Sequence, residues 1–134
     1  MLMQKELDRF SLELKRSVKK VIDNIFLPDV EMADTLHEVF CHYSPNKERA
    51  YILHVIANCY ELDSQLTFYL ESGLEIIFAA YYLRDDLIDD AHVIVGKKIK
   101  PATLKKYSMV ADILNEIASS TFLIVVIPEA KAVP

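Results

Sequence analysis

From Leu66 to His92 the chain reads LTFYLESGLEIIFAAYYLRDDLIDDAH, almost wholly apolar between Leu74 and Leu83 and then carrying Asp85, Asp86, Asp89 and Asp90 within six residues. A segment that is apolar on nearly every side is a helix buried on nearly every side, so it must run through the middle of a larger helical assembly. At about 100° per residue, Asp85 and Asp89 stack on one face a turn apart, with Asp86 and Asp90 stacked beside them. Acids at a helix C-terminus oppose the helix dipole, and clustered carboxylates repel one another and resist desolvation. A hard divalent cation removes the conflict. Mg²⁺ takes oxygen ligands and is commonly shared between one or two carboxylates and substrate phosphates. The run therefore predicts a Mg²⁺ and phosphate site at the end of a buried helix.

The rest of the sequence reads as helices too. With only two glycines and five prolines in 134 residues, and 52% of residues hydrophobic, the chain has long elements and few turns. Leu7, Phe10, Leu14, Val18 (or Val21) and Ile25 give an inward stripe over 3–26, ended by Leu27-Pro28-Asp29. Val30, Ala33, Leu36 and Phe40 are the inward positions of a helix over 30–42. Ser44-Pro45-Asn46 breaks it and caps a helix over 46–60. That third helix has Ala50, Leu53, Ala57 and Tyr60 on one side and Ile52, Val55, Ile56 and Cys59 on another, which predicts burial on more than one face. Asp63-Ser64 caps a central helix over 65–92, and Gly96 ends it ahead of a basic loop, Lys97-Lys98-Ile99-Lys100-Pro101. A last helix spans 102–124 through Leu104, Tyr107, Val110, Ala111, Leu114, Ile117 and Ala118. The tail from about 125 to 134 is apolar and then proline-bearing, which predicts a cover for it. The expected architecture is one all-α domain over 1–134, a bundle of five or six helices with antiparallel neighbours.

Composition also excludes classes of function. A net charge of −5 with no basic stripe argues against nucleic acid as a partner. No run of roughly 18 uncharged apolar residues exists, so no stable membrane insertion is expected. The charged N-terminal stretch lacks the apolar core of a secretory signal, and the expected location is cytoplasmic. Cys41 and Cys59 read as small buried residues in a reducing compartment.

Asp85-Asp86-Leu87-Ile88-Asp89 behind a long apolar helix resembles the first aspartate-rich motif (DDxxD) of the trans-isoprenyl diphosphate synthases, the polyprenyl synthetase family. The resemblance extends, in order, over most of the chain. Pro45-Asn46-Lys47-Glu48-Arg49-Ala50 is similar to the basic GKRxRP-like element of that family, although Asn46 and Ala50 depart from it. Lys97-Lys98-Ile99-Lys100-Pro101 is similar to its Arg-Arg-Gly-x-Pro loop, with lysines in place of arginines and a longer spacing. Ala111-Asp112-Ile113-Leu114 resembles the start of its following helix. The resemblance implies the first half of the isoprenoid synthase fold. It implies that Asp85, Asp86 and Asp89 bind Mg²⁺ and an allylic diphosphate, that Lys47 and Arg49 hold the homoallylic diphosphate, and that Lys97 and Lys98 assist. Tyr81 and Ala80, just ahead of the aspartates, would set the depth of the product pocket.

Family members are more than twice as long and carry a second aspartate-rich motif facing the first. Nothing after Asp112 resembles it. The expectation is therefore a subunit that needs a partner chain bearing the second motif, within a split or heteromeric prenyltransferase. A non-catalytic regulatory subunit of such a synthase, or an inactive fragment, fits the same departure. Other classes stay open on the residues alone. Glu71, Glu75, Asp86 and Asp90 suit a small all-α metal-dependent nucleotide pyrophosphatase. Asp34-x-x-His37 and Asp89-x-x-His92 suit a carboxylate-histidine metal bundle. A plain helical interaction module needs none of these groups.

Overall fold

The computed structural model describes residues 2–25, 28–45, 47–89 and 93–126, with the side chains of Leu2 and of 124–126 left aside. The chain is all-α apart from one short hairpin. The order is α1 (Leu2–Ile25), α2 (Val30–Tyr43), α3 (Glu48–Cys59), α4 (Ser64–Asp89), β1 (Val93–Ile94), β2 (Lys97–Lys98), a 3₁₀ turn (Pro101–Thr103) and α5 (Leu104–Val126). No described helix is long and apolar enough to cross a membrane.

Local chemistry sets most of these boundaries. The Asp29 carboxylate accepts the Met32 N–H at 3.0 Å and caps α2. Asp63 does the same for α4, accepting the N–H groups of Gln65 at 2.9 Å and Leu66 at 3.0 Å. The C-terminus of α3 is closed by a pair of bonds with no glycine to announce them. Leu62 N–H reaches Ala57 C=O at 3.0 Å, and Glu61 N–H reaches Asn58 C=O at 3.2 Å. These bonds require Glu61 in the left-handed region, at φ +53°.

Helix α4 is the axis of the molecule. It packs most extensively on α5 and also on α3 and α2, while α1 lies across α2 and α3. One core cluster draws on every helix and on the hairpin, including Leu14, Leu36, Phe40, Leu83, Ile94 and Leu114. The α4–α5 contact is close because small residues meet there. Ala79 and Ala80 on α4 and Ala111 and Ala118 on α5 are buried. A Cβ added at Gly73 would lie 2.5 Å from the Phe122 ring and 2.6 Å from Thr121 Oγ1.

Several expectations about faces are corrected. Helix α3 is buried on one side only: Ala50 and Ala57 face the core, whereas Ile52, Val55, Ile56 and Cys59 are exposed. Val55 and Cys59 on that second side border a groove with Arg9 and Phe10 of α1 but stay exposed. On α1 the stripe passes through Val18 and Ile22, and Val21 and Ile25 lie outside it; on α2, Val30 is exposed. Cys41 is half-buried and Cys59 exposed, both as free thiols. Ser44 ends α2 instead of capping α3. Lys47 takes the cap position of α3 at φ +58°, with no side-chain capping bond. Helix α4 ends at Asp89, and Gly96 turns a hairpin rather than closing the helix. Val95 and Gly96 both have positive φ, as a type I′ turn requires, and this pairs Val93 with Lys98 and Ile94 with Lys97. Lys97 and Lys98 are thus strand residues, not a loop. The expected positions of Asn46, Asp90, His92 and the tail from 127 onward fall outside the described residues.

Two substitutions test this packing. Gly73→Val forces α4 and α5 apart and should cost about 2 kcal/mol in urea unfolding, part of it recovered by adding Phe122→Ala. Glu61→Gly relieves a left-handed non-glycine residue and should raise stability by about 0.5–1 kcal/mol in the same assay.

Candidate functional site

The two sides of α4 differ in kind. Ser72, Ile76, Ala79, Ala80 and Leu83 follow the helical repeat and point into the core. Leu74, Phe78, Tyr81, Asp85 and Asp89 follow the same repeat on the far side. There Tyr81 is 64% exposed, Ile88 81% exposed, and Asp85 and Asp89 both lie at the surface. An apolar wall, half-buried at Leu74 and Phe78 and open from Tyr81 onward, therefore leads to two stacked carboxylates.

Arg49, from the first turn of α3, lies over this face. Its guanidinium carbon is 4.2 Å from the Phe78 ring centroid and 5.5 Å from that of Tyr82. Its Nη2 donates to the Tyr82 hydroxyl at 2.5 Å. The stacking fixes a planar cation beside the aromatic wall, one to two turns before the aspartates.

Asp86 is held differently from its neighbours. It turns toward α2, where the Tyr43 hydroxyl donates a hydrogen bond to Asp86 Oδ2. The same hydroxyl accepts the Val95 N–H at 3.3 Å. Burial, with the Asp86 bond second, pushes the Tyr43 hydroxyl well above its ordinary range, so it stays protonated and donating. One phenol thus ties α2, the aspartate motif and the hairpin together.

The remaining site residues separate. Ala80 is buried in the core while Tyr81 is on the open face, because adjacent helical residues diverge by about 100°. Lys47 is buried: its left-handed backbone turns the side chain inward, and Nζ sits 4.7 Å from the Phe40 centroid. Burial lowers its pKa. Lys97 Nζ pairs with Glu38 Oε1 at 2.8 Å on the surface, and Lys98 is exposed beside it. Arg84 Nη2 reaches Asp112 Oδ1 at 2.6 Å and links α4 to α5.

No group of three His, Cys, Asp or Glu side chains converges among the described residues. Asp85 and Asp89 are hard oxygen donors on one exposed face, a set that suits Mg²⁺ completed by water and phosphate oxygens. Of the acids named for a pyrophosphatase, Asp90 lies outside the described residues and the other three are engaged separately. Glu75 is buried and accepts the Ser44 hydroxyl at 2.5 Å, Glu71 is occupied by His54, and Asp86 by Tyr43. Asp34 is exposed, while His37 packs within 3.6 Å of Cys41 Sγ.

Sequence reasoning passed over the His54–Glu71 pair, because its partners lie on different helices. His54 Nδ1 lies 2.8 Å from Glu71 Oε1, and Asn58 Nδ2 lies 3.3 Å from His54 Nε2. One tautomer satisfies both contacts: Asn58 donates to Nε2, and Nδ1–H donates to Glu71. Phe10 packs against the imidazole at 4.8 Å between centroids.

Comparison with protein-family models, curated proteins and solved structures returns no match for this chain.

Burial raises the Glu71 carboxyl above its ordinary value of 4.5, and the His54 bond offsets part of that rise. A raised acid favours the folded state when protonated, so Glu71 costs stability at neutral pH and stops doing so as pH falls through its folded pKa toward 4.5. Glu71→Gln keeps an acceptor for His54 without the charge. It should match or exceed the native stability at pH 7, by about 1 kcal/mol at most, with the advantage vanishing near pH 4. Thermal unfolding at several pH values checks this; an advantage independent of pH would reject the charge as its source.

Proposed function

We propose that this chain is one subunit of a split or heteromeric isoprenyl diphosphate synthase, condensing an allylic diphosphate with a homoallylic one in an assembly with a partner chain. The observation that carries the reading is the open side of α4, where Leu74, Phe78 and Tyr81 lead to Asp85 and Asp89 with Arg49 stacked alongside. A greasy wall, paired carboxylates and a fixed cation are what an allylic diphosphate needs: a surface for its chain, a charge clamp for its head, and a place where water is excluded once the face is covered.

In this reading the allylic C–O bond breaks, diphosphate departs with the electron pair, and the homoallylic double bond attacks the allylic cation before a proton is lost. Mg²⁺ would be held by Asp85 and Asp89, and supplies neutralisation of the departing diphosphate. Asp86 is steadied by Tyr43 at the edge of that site. Arg49 is the cation best placed for a diphosphate oxygen, with Lys97 and Lys98 on the hairpin behind Asp86. Lys47 has no such role while its ammonium lies over Phe40. Tyr81 stands on the wall and sets its depth; Ala80 does so only by letting α5 approach. The partner chain supplies the opposite wall and the second aspartate-rich helix.

A non-catalytic subunit of such a synthase is the second reading. It is favoured by the state of the cations, since Lys97 is paired with Glu38 and Arg49 with the Tyr82 hydroxyl.

The experiment is co-purification of the native partner, followed by assay of the complex with both diphosphates and Mg²⁺. Asp85→Ala with Asp89→Ala should lower turnover by at least about 100-fold while helix content by circular dichroism stays unchanged. An active complex indifferent to that double substitution places the chemistry wholly in the partner and leaves the regulatory reading. A chain without a partner, inert to prenyl diphosphates, removes both.

A further inference from the structure

On the side of α4 turned away from Asp85 and Asp89, a groove opens between α1, α4 and α5 with a volume of about 550 Å³. Its floor includes the buried side chains of Val18, Ile76 and Ile117, and its rim includes the exposed Val21, Ile25 and Met109. The size is that of a small-molecule site, and the lining is apolar over almost its whole extent.

Among the polar side chains that line it, one is buried without a partner. Ser72 borders the groove and is 4% exposed, yet its Oγ has no hydrogen-bond partner among the described residues. A hydroxyl inside a helix ordinarily turns back on a carbonyl of the preceding turn. Three threonines here do so: Thr35 to Glu31 C=O at 3.0 Å, Thr67 to Asp63 C=O at 2.8 Å and Thr121 to Ala118 C=O at 2.7 Å. Ser72 does not. A buried hydroxyl left unbonded is costly, and the groove is open space that Ser72 borders.

The charges at the mouth restrict the ligand further. Asp112 and Glu116 border the groove and are exposed, and among the described residues no lysine or arginine lines it. Asp112 is already paired with Arg84. A fatty-acid or diphosphate head would meet acids with no cation of its own. The lining instead suits a molecule that is aliphatic along its length, with a neutral hydroxyl or carbonyl to bond Ser72.

We infer that the α1–α4–α5 groove is a binding site for a single-chain aliphatic molecule bearing an uncharged hydrogen-bonding group, held by Ser72. The site lies on the opposite side of α4 from the aspartates and does not depend on their role. It gives the chain a second lipid-like ligand, neutral where the first would be a diphosphate.

The test uses the full chain, with decan-1-ol and decanoate as probes, followed by isothermal titration and by ¹H–¹³C methyl shifts of Val18, Ile76 and Ile117. Decan-1-ol should bind and move those methyls, with decanoate weaker by at least about tenfold. Ser72→Ala should weaken decan-1-ol by about fivefold. Val21→Trp, at the exposed rim where the fold tolerates bulk, should block the groove and abolish binding while the melting temperature holds. Failure of decan-1-ol to bind would overturn the inference. So would equal binding of decanoate, binding indifferent to Val21→Trp, or self-association of the chain that Val21→Trp abolishes, since the groove would then be a protein contact.

Discussion

The close approach of α4 and α5 is the constraint on which the rest of the molecule depends. With a glycine and several alanines along the contact, the two backbones come near enough for Phe122 to fill the space a Cβ at Gly73 would take. Close packing gains dispersion contacts and excludes water, but leaves no tolerance for added volume. It also fixes the rotation of α4 about its own axis. That rotation decides which residues of a nearly all-apolar helix are core, which line the groove, and which are left on the open face with the aspartates.

The second constraint is the polar material packed between α2, α3 and α4. Glu71 is met by His54, itself bonded by Asn58, Glu75 by Ser44, and the Lys47 ammonium by the face of Phe40. A buried charge is costly unless its partners are close and aligned, so each of these groups restricts how the helices can sit. Tyr43 adds a fourth tie where α2, the end of α4 and the hairpin meet. Asp86 is thus held from behind, while Asp85 and Asp89 lie exposed beside it. Precision in a site of this kind comes from such supporting bonds.

The two sides of α4 present complementary chemistry. One is a wall of aromatic and aliphatic side chains ending in carboxylates and flanked by an arginine, suited to a charged head on a greasy chain. The other is a nearly dry groove with one unsatisfied hydroxyl, suited to a chain with a neutral head. A helix as apolar as α4 has more apolar surface than the described helices around it cover. That excess is the physical origin of both features.

Much of this was legible in the amino-acid order. Periodicity, the Leu27-Pro28-Asp29 break and the Asp63 cap gave the helices, because these signals act within a few residues. The spacing of Asp85 and Asp89 put them on one face, because the helical repeat alone decides that. The α3 cap at Glu61 was hidden, since a left-handed residue without glycine leaves no mark in the sequence. The burial of Ile52, Val55 and Ile56 was misjudged because apolar character says what a side chain tolerates, not whether a neighbour arrives to cover it. Lys47, expected to hold a diphosphate, is turned inward by its backbone. The Tyr43–Asp86 bond spans 43 residues and the His54–Glu71 pair 17, distances over which no local pattern operates. The sequence by itself determined the helices and the carboxylate face, through rules a few residues long. Which faces are covered, which acids are held, and where a groove is left were decided only when α2, α3 and α5 docked on α4 and α1 on α2 and α3, because burial and hydrogen-bond partnership are properties of the assembled helices.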